Sequence, residues 1–502
     1  MAKLTDEQET IAQAESDLMA VTAYAGTGKT STLQAYARRR PHDRMLYLAF
    51  NKALSEEAKV AFQGFQNVMV KTLHALAYSQ VGKKYHSKLG NFRVYDLNRY
   101  FPELKADKAI GASRVLFELI NNWTISAGKD IDGFFKANTR MIGERVKEYG
   151  IQRARMAKAL RDAWDDMVNG EFTMTHNGYF KLYQLSKPKL EHFTYLLVDE
   201  AQDLNQAMLS VILGAKGKKV LVGDPYQQIY GWNGAVNAIG QTLKMGATHY
   251  YLTKSFRCPT HVSDIANKYL SLLGAKKEFH GISGPAPPVK PHKCPNIVIG
   301  RTNAAIFDFV ANNLDNLKIH YNGGFEGYQF EMLKDLNHLR NYRQNRISDP
   351  FIKKFKSYAE LEAYVSTAQD GVMMVRIEVE KKYKDLVHGI YEKMRDLQAI
   401  DESSADLVIT TAHKAKGQEY RDVTLLSDFI ALEDVLTRVL RSETNPVNYP
   451  LPIILSKEEF QLIYVAVTRS FNSLDLPPYY ILNDGAIKMF KTYVRQKKII
   501  FE

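Results

Sequence analysis

Residues 19–30 read Met-Ala-Val-Thr-Ala-Tyr-Ala-Gly-Thr-Gly-Lys-Thr (MAVTAYAGTGKT). The stretch opens as an apolar strand, 19–24, overlaps Ala23-Tyr-Ala-Gly26-Thr27-Gly28-Lys29-Thr30, and leads into a helix-forming run, STLQAYARRR. This is a phosphate-loop pattern with alanine at the first glycine position. Glycines let the backbone curl until its N–H groups and the start of the next helix face phosphate oxygens. Lys29 would place positive charge on the β- and γ-phosphates, and Thr30 would ligate Mg²⁺. Average residue usage produces such a pattern by chance in roughly 4% of chains this long. The strand before it and the helix after it separate it from a plain glycine turn.

A second signal lies at 196–203, Leu-Leu-Val-Asp199-Glu200-Ala-Gln-Asp203. An apolar strand ending in two acids places carboxylates at the C-terminal edge of a sheet, where α/β proteins bind ligands. There Asp199 would hold Mg²⁺ and Glu200 would orient and deprotonate an attacking water. Further strands are expected at 44–50, 193–198, 219–222, 296–300, 407–411 and 422–426, alternating with helical stretches as parallel sheets require. The strand signal fades between about 80 and 187, where 112–123 and 142–166 read as helices, and again at about 321–402. Residues 281–295, GISGPAPPVKPHKCP, read as a Pro-rich connector. The expected fold is α/β: two cores, each interrupted by a mainly helical insertion. The boundaries are 1–80 and 188–248 for the first core, 81–187 for its insertion, 249–320 and 403–502 for the second core, and 321–402 for a reduced insertion.

The chain has 502 residues, enough for about three or four domains. Its 67 Lys and Arg against 55 Asp and Glu give a net charge of +12, which favours anionic partners. Hydrophobic residues at 45% support ordinary cores and exclude wholesale disorder. Two cysteines, Cys258 and Cys294, are too few for a disulfide framework, an iron–sulfur cluster or a cysteine zinc site. The charged start, MAKLTDEQET, and the lack of any long apolar run lead us to expect an intracellular, soluble protein without a membrane partner. Phosphoryl transfer also needs positive charge against the γ-phosphate. Arg257 (KSFRCP) and Arg469 (AVTRS) are candidates near element ends in the second core.

In order, these motifs resemble those of superfamily 1 helicases of the UvrD/Rep/PcrA type, across both cores. The resemblance implies two RecA-like domains of the phosphate-loop NTPase class, working with ATP and Mg²⁺. LTDEQ at 4–8 is similar to the family's Q motif, which gives Gln8 the reading of adenine. VGDPYQQIYGWNGA at 222–235 implies that Gln227 senses the γ-phosphate. KSFRCP at 254–259 implies that Phe256 stacks on adenine while Arg257 reaches phosphate. TTAHKAKGQEY at 410–420 assigns ribose to Glu419, and LIYVAVTR at 462–469 makes Arg469 a second arginine finger. LYLAFNKALSEEA and FTMTHNGYFKLYQLSKP resemble the motor core of F-box DNA helicases and their compact relatives, with no F-box segment expected before the phosphate loop. Ser31 stands where the family often has an arginine against adenine, and Asn233 where many members have an arginine on DNA.

A motor on single strands needs backbone electrostatics and flat faces for bases. The matching positions are Phe50, His74, Tyr230, Trp232 and His413 for stacking, with Asn51, Lys52, Thr72 and Lys416 for phosphates. Trp232 stands out because IYGWNGA is rich in turn formers. The resemblance implies an ATP-dependent single-stranded DNA translocase and helicase, moving 3′ to 5′ and acting at duplex junctions, as in DNA repair. The alternatives are a motor that strips proteins from single strands, an ATP-switched nucleic-acid-binding protein, and RNA as the track. A nuclease is not expected from the 33 residues after Arg469. The compartment would be cytoplasmic for a prokaryotic or phage source and nuclear for a eukaryotic one.

Overall fold

The run Leu18–Ala23 (β1) is buried from Met19 onward, as a strand covered by helices on both faces must be. In the computed structural model, which describes residues 3–282, 296–313, 317–444 and 451–502, it lies inside a six-stranded parallel sheet. The other members are Met45–Ala49 (β2), Val68–Thr72 (β3), Tyr195–Val198 (β4), Lys218–Gly223 (β5) and Thr248–Leu252 (β6), in the order β3-β2-β4-β5-β1-β6. Val21 lies opposite Val222, and Val198 lies opposite Leu48 and Leu221. That register brings the ends of β4, β5 and β1 side by side on one edge. The phosphate loop, Asp224 and the Asp199-Glu200 pair therefore emerge together.

Two short strands, Lys254–Pro259 (β7) and His280–Ile282 (β8), pair beside this sheet. The second sheet is again wholly parallel. It is built from Asn296–Gly300 (β9), Ile319–Tyr321 (β10), Leu407–Thr411 (β11), Tyr420–Leu425 (β12) and, after Ile453–Leu455 (β13), Ser470–Asp475 (β14). Its order is β10-β11-β9-β12-β14, and β13 pairs with the C-terminal strand Ile499–Phe501 (β15). All seven expected strands are present.

Between β3 and β4 stands the first helical excursion, including Ala106–Ile125, Ile131–Glu148, Arg153–Asn169 and His176–Leu185. Trp123, Leu116, Met156 and Phe180 make its core continuous with one face of the first sheet. Lys181 is buried there, donating to Ser126 O at 3.0 Å and Gly128 O at 2.5 Å and lying 3.9 Å from the Trp123 ring centroid. The second excursion, Glu331–Arg340, Tyr358–Ala368, Gly371–Tyr383 and Leu386–Asp396, falls between β10 and β11 around its own cluster of Phe330, Leu336, Leu361 and Tyr391.

Three boundaries differ from the sequence reading. The division at 248/249 is corrected: β6 pairs with β1 from Met19↔Thr248 to Ala23↔Leu252, so the first sheet extends through Leu252. β6 is a half-exposed edge strand, THYYL, too polar to announce itself. The single helix expected at 142–166 is two, because Gly150 takes φ +72°. Gly150 N–H bonds Lys147 O and Ile151 N–H bonds Val146 O, the paired bonds that close a helix on a left-handed glycine. The connector expected at 281–295 begins with the last two residues of β8, and the rest lies outside the described residues. Among the described residues, no helix is long and apolar enough to cross a membrane.

Candidate nucleotide site and strand-binding surface

Gly26 and Gly28 both have left-handed backbones, φ +66° and +78°. Each also lies where a side chain has no room. A Cβ on Gly26 would come within 2.5 Å of Arg257 Cβ, and one on Gly28 within 2.6 Å of Gln8 Nε2. The loop is thus pressed between the helix Asp6–Gln13 and β7. Phe256 N–H bonds Gly26 O at 2.7 Å, Ser255 Oγ donates to Ala25 O at 3.0 Å, and Thr27 Oγ1 donates to Tyr24 O at 2.8 Å. Gly28 caps the helix Lys29–Arg38, whose first N–H groups open onto a pocket of about 600 Å³. Gln8, Thr30, Ser31, Asp199, Glu200, Gln227, Phe256, Arg257, Glu419 and Arg469 all line it with the loop. Gln8 is buried, makes a capping box with Thr5, and reaches toward Thr27 O at 3.4 Å, while Phe256 stays half-exposed beside Gly28.

The charges are strongly coupled. Lys29 Nζ lies 2.7 Å from Glu200 Oε1. Burial opposes the Lys29 ammonium, but Glu200, Asp199 and Asp224 together hold it above the ordinary lysine value. Burial likewise opposes the Glu200 carboxylate; Lys29, Lys416 and the Gln202 amide outweigh it and bring Glu200 down to about 2. Burial and the neighbouring Glu200 push Asp199 up, although the Tyr47 hydroxyl donates to its Oδ2. Glu200 itself has φ +50°, a strained setting for a residue with a Cβ, and its N–H bonds Asp199 Oδ1 at 2.9 Å.

From the other core, Arg469 is buried and donates to Gln227 Oε1 at 3.1 Å, Gln418 O at 3.2 Å and Val465 O at 2.8 Å. Burial and the nearby Arg257 lower it to about 10. Gln227 also donates to Asp224 Oδ2 at 2.8 Å, so one amide joins an acid of the first core to an arginine of the second. Arg257 pairs with Glu419 and leaves its buried Nε without an acceptor among the described residues. An unsatisfied guanidinium nitrogen beside a phosphate loop is what an anionic ligand would complete.

The expected strand-binding residues separate into groups. Phe50 stacks on Tyr230 with centroids 5.4 Å apart and planes at 21°; Trp232 meets Tyr230 edge-on at 6.1 Å, and His413 lies 6.4 Å from Tyr230. Trp232 is 75% exposed, as its turn setting predicts. These four rings cross from the first core to the second beside a cleft of about 1470 Å³. His74 is not among them: it packs on Phe180 and Tyr179, and burial lowers it to about 4. Asn51 and Lys52 are exposed at the start of the helix Lys52–Ala61, and Thr72 caps the helix Leu73–Gln80.

Lys416 departs from its expected role. Its Nζ is buried between the cores, 2.6 and 2.7 Å from the Asp203 carboxylate oxygens and 2.7 Å from Gln227 O. An ammonium held by three acceptors has no donor free for a strand phosphate, so the expected phosphate contact is corrected to a bond between cores. Sequence reasoning also passed over Tyr47, Gln202, Asp203, Asp224 and Tyr464. Asp224 accepts from Tyr464 at 2.9 Å, and burial raises it to about 6 despite Lys29, Gln227 and Tyr464. Its position at the end of a strand in VGDPYQQ was the available signal; its partner 240 residues away was not legible.

The donor set fits a magnesium–nucleotide. Among the described residues, no group of three or more His, Cys, Asp or Glu could hold a metal alone. Thr30 and Asp199 instead share the pocket with the phosphate loop. Mg²⁺ usually takes one or two protein oxygens and completes its shell with phosphates and water.

Residues 4–246 match the family described as UvrD/REP helicase N-terminal domain. The chain is 29% identical to F-box DNA helicase 1 of Gallus gallus over 93% of its own length and 48% of that protein. It is 28% identical to F-box DNA helicase protein 1 of Schizosaccharomyces pombe over 97% of itself and 58% of that protein, and 28% identical to DNA helicase II of Escherichia coli over 56% and 42%. The chain thus spans about half the length of the F-box DNA helicases it matches. With a phosphate loop and paired acids on one sheet edge, residues 4–246 are similar throughout to the UvrD/REP helicase N-terminal domain.

Proposed function

We propose that this chain is an ATP-dependent DNA helicase and single-stranded DNA translocase, acting at duplex junctions and moving 3′ to 5′. The observation that carries this reading is the convergence of both cores on one pocket: Lys29, Asp199, Glu200 and Gln227 from the first, Arg257 and Arg469 from the second. Charge from two bodies on one γ-phosphate makes hydrolysis depend on their closure. Gln8 and Phe256 hold the adenine, Glu419 reaches the ribose, and the N–H groups of residues 26–31 hold the phosphates. Mg²⁺, bound with ATP by Thr30 and Asp199, would neutralise charge on the β- and γ-phosphate oxygens.

Lys29 is the hinge of the chemistry. A γ-phosphate competes with Glu200 for its ammonium. As Lys29 turns to phosphate, Glu200 loses the partner that holds it near 2 and becomes a stronger base for the attacking water. Arg469 and Arg257 stabilise charge on the departing phosphoryl group, and Gln227, bonded to Arg469, relays its position to Asp224. Closure and reopening then move the aromatic run at Phe50, Tyr230, Trp232 and His413, whose members belong to both cores, along the bases.

The test is ATP hydrolysis with single-stranded DNA, with RNA of the same sequence and with neither, using Lys29→Ala as the inactive control, followed by unwinding of duplexes with 3′ or 5′ tails. Stimulation by DNA and unwinding from 3′ tails is expected. Stimulation by RNA alone would replace the substrate. ATP binding without turnover on either strand would reduce the chain to an ATP-switched binder, and faster displacement of a protein filament than of duplex would make stripping its work.

A further inference from the structure

The large cleft is walled by the first insertion at Phe92 and Phe117, by the second at Val375 and Arg376, and by the second core at Lys414, with Trp232 at its side. Its cations are not equivalent. Arg301 makes two bonds to Glu459, at 3.1 and 2.8 Å, and Arg93 and Arg114 pair with Asp349 and Glu118. Lys414 has no such partner among the described residues. It stands on the short helix Ala412–Ala415 after β11, with its ammonium 3.4 Å from the Tyr328 ring centroid. Its Nζ is buried and has no hydrogen-bond acceptor among those residues. The wall around it is glycine: a Cβ on Gly327 would lie 3.1 Å from Nζ and one on Gly323 3.8 Å away. Arg376, on the helix Gly371–Tyr383, bonds the amide oxygen of Gln329, the residue after Tyr328, and pairs with no carboxylate among the described residues. Burial lowers Lys414 to about 8 and lowers Arg376 as well.

A sequestered cation without an acceptor is costly unless an anion completes it. We propose that Lys414 and Arg376 together bind a backbone phosphate of a single strand, so that the reduced second insertion grips the strand beside the aromatic run. This rests on the reading of the chain as a single-strand motor. The Tyr328 face and the glycine turn hold the ammonium in place while leaving its N–H donors uncommitted, and the apolar wall at Val375 and Phe117 suits sugar and base edges. A phosphodiester accepts from both cations without any sequence requirement.

The experiment is binding of a labelled deoxythymidine oligomer across a salt series, for the wild type, Lys414→Met, Arg376→Met and Lys414→Arg. Each Met variant should make the slope of log affinity against log salt shallower, by up to about 0.7, the value for one phosphate contact on a single strand. Lys414→Arg should restore it. The thermal midpoint of Lys414→Met should hold or rise, because a buried unpaired charge is removed. An unchanged slope in both Met variants overturns the site. So does an unchanged slope with a lowered midpoint in Lys414→Met, which would make the ammonium a fixture of the Tyr328 ring. If the wild type binds ATP but no oligomer at any salt, the motor reading itself fails. Where the wild type binds the oligomer and Trp232→Ala weakens that binding, the motor reading stands, and unchanged slopes in the Met variants then overturn the phosphate site alone.

Discussion

Lys29 and Glu200 face each other at 2.7 Å, and the consequence belongs to single side chains. Glu200→Gln keeps the shape, leaves Lys29 to the phosphates and removes the proposed base. ATP binding should survive, as read by equilibrium titration of a fluorescent ATP analogue, while steady-state hydrolysis falls by about 10²–10⁴-fold, the range for a lost general base. A rate within a few-fold of wild type would take Glu200 out of that role. Most of this site was legible as sequence because strand–loop–helix syntax fixes where such residues emerge. Asp203, Asp224 and Tyr464 were not, since each acquires its meaning from a partner more than 200 residues away. Lys416 was misread for the same reason: in AKG it looks like any exposed lysine, and only folding sets it against Asp203.

Among elements, six of the seven readable strands are buried on both faces, where a continuous apolar run is compulsory, while β12 alternates buried and open positions. The edge strand β6, half exposed, carries no such requirement and was assigned to the wrong core. The helix break at Gly150 depended on one φ that the surrounding helical pattern concealed. The 3₁₀ turn Gly231–Asn233 presents Trp232 outward, and Trp232→Ala should cost about 1–3 kcal/mol of strand affinity and uncouple unwinding from ATP use. Unwinding per ATP equal to wild type would return Trp232 to packing. In the first insertion, burial lowers Lys181 to about 7. The unfolded lysine holds its proton to about pH 10.4, so between these values the unfolded chain binds more protons and stability rises with pH, by at most about 1.4 kcal/mol per unit. Below pH 7 both states are charged and the dependence vanishes. Thermal midpoints at pH 7 and 9.5 should therefore converge for Lys181→Met relative to wild type; identical pH dependence in the two proteins would remove Lys181 as its source.

For the whole molecule, the two cores are bolted by a few buried polar bonds: Lys416 to Asp203 and Gln227, Tyr464 to Asp224, Arg469 to Gln227. Lys416→Ala would strand Asp203, whose carboxyl burial already raises to about 6, and should destabilise the chain by about 3–5 kcal/mol, the cost of breaking one side of a buried pair. Thermal unfolding measures this, and an unchanged midpoint would show that water reaches Asp203. The architecture of two parallel sheets with insertions was legible because each core repeats its own strand–helix alternation. The way one core closes on the other was not, because no local pattern encodes it.

β1, the strand that delivers the phosphate loop, is hydrogen-bonded between β5 and β6, and β6 ends at Leu252, more than 220 residues after Ala23. During synthesis the chain must therefore carry this strand unpaired on both edges while β2, β3 and the whole first insertion are made. The insertion helices, held by near-neighbour contacts, can settle early, whereas non-local parallel pairing is slow. A nascent chain halted within that insertion would hold every residue of AGTGKT and still have no place for a nucleotide, so ATP cannot act as a folding aid until the chain has left the ribosome as far as Leu252.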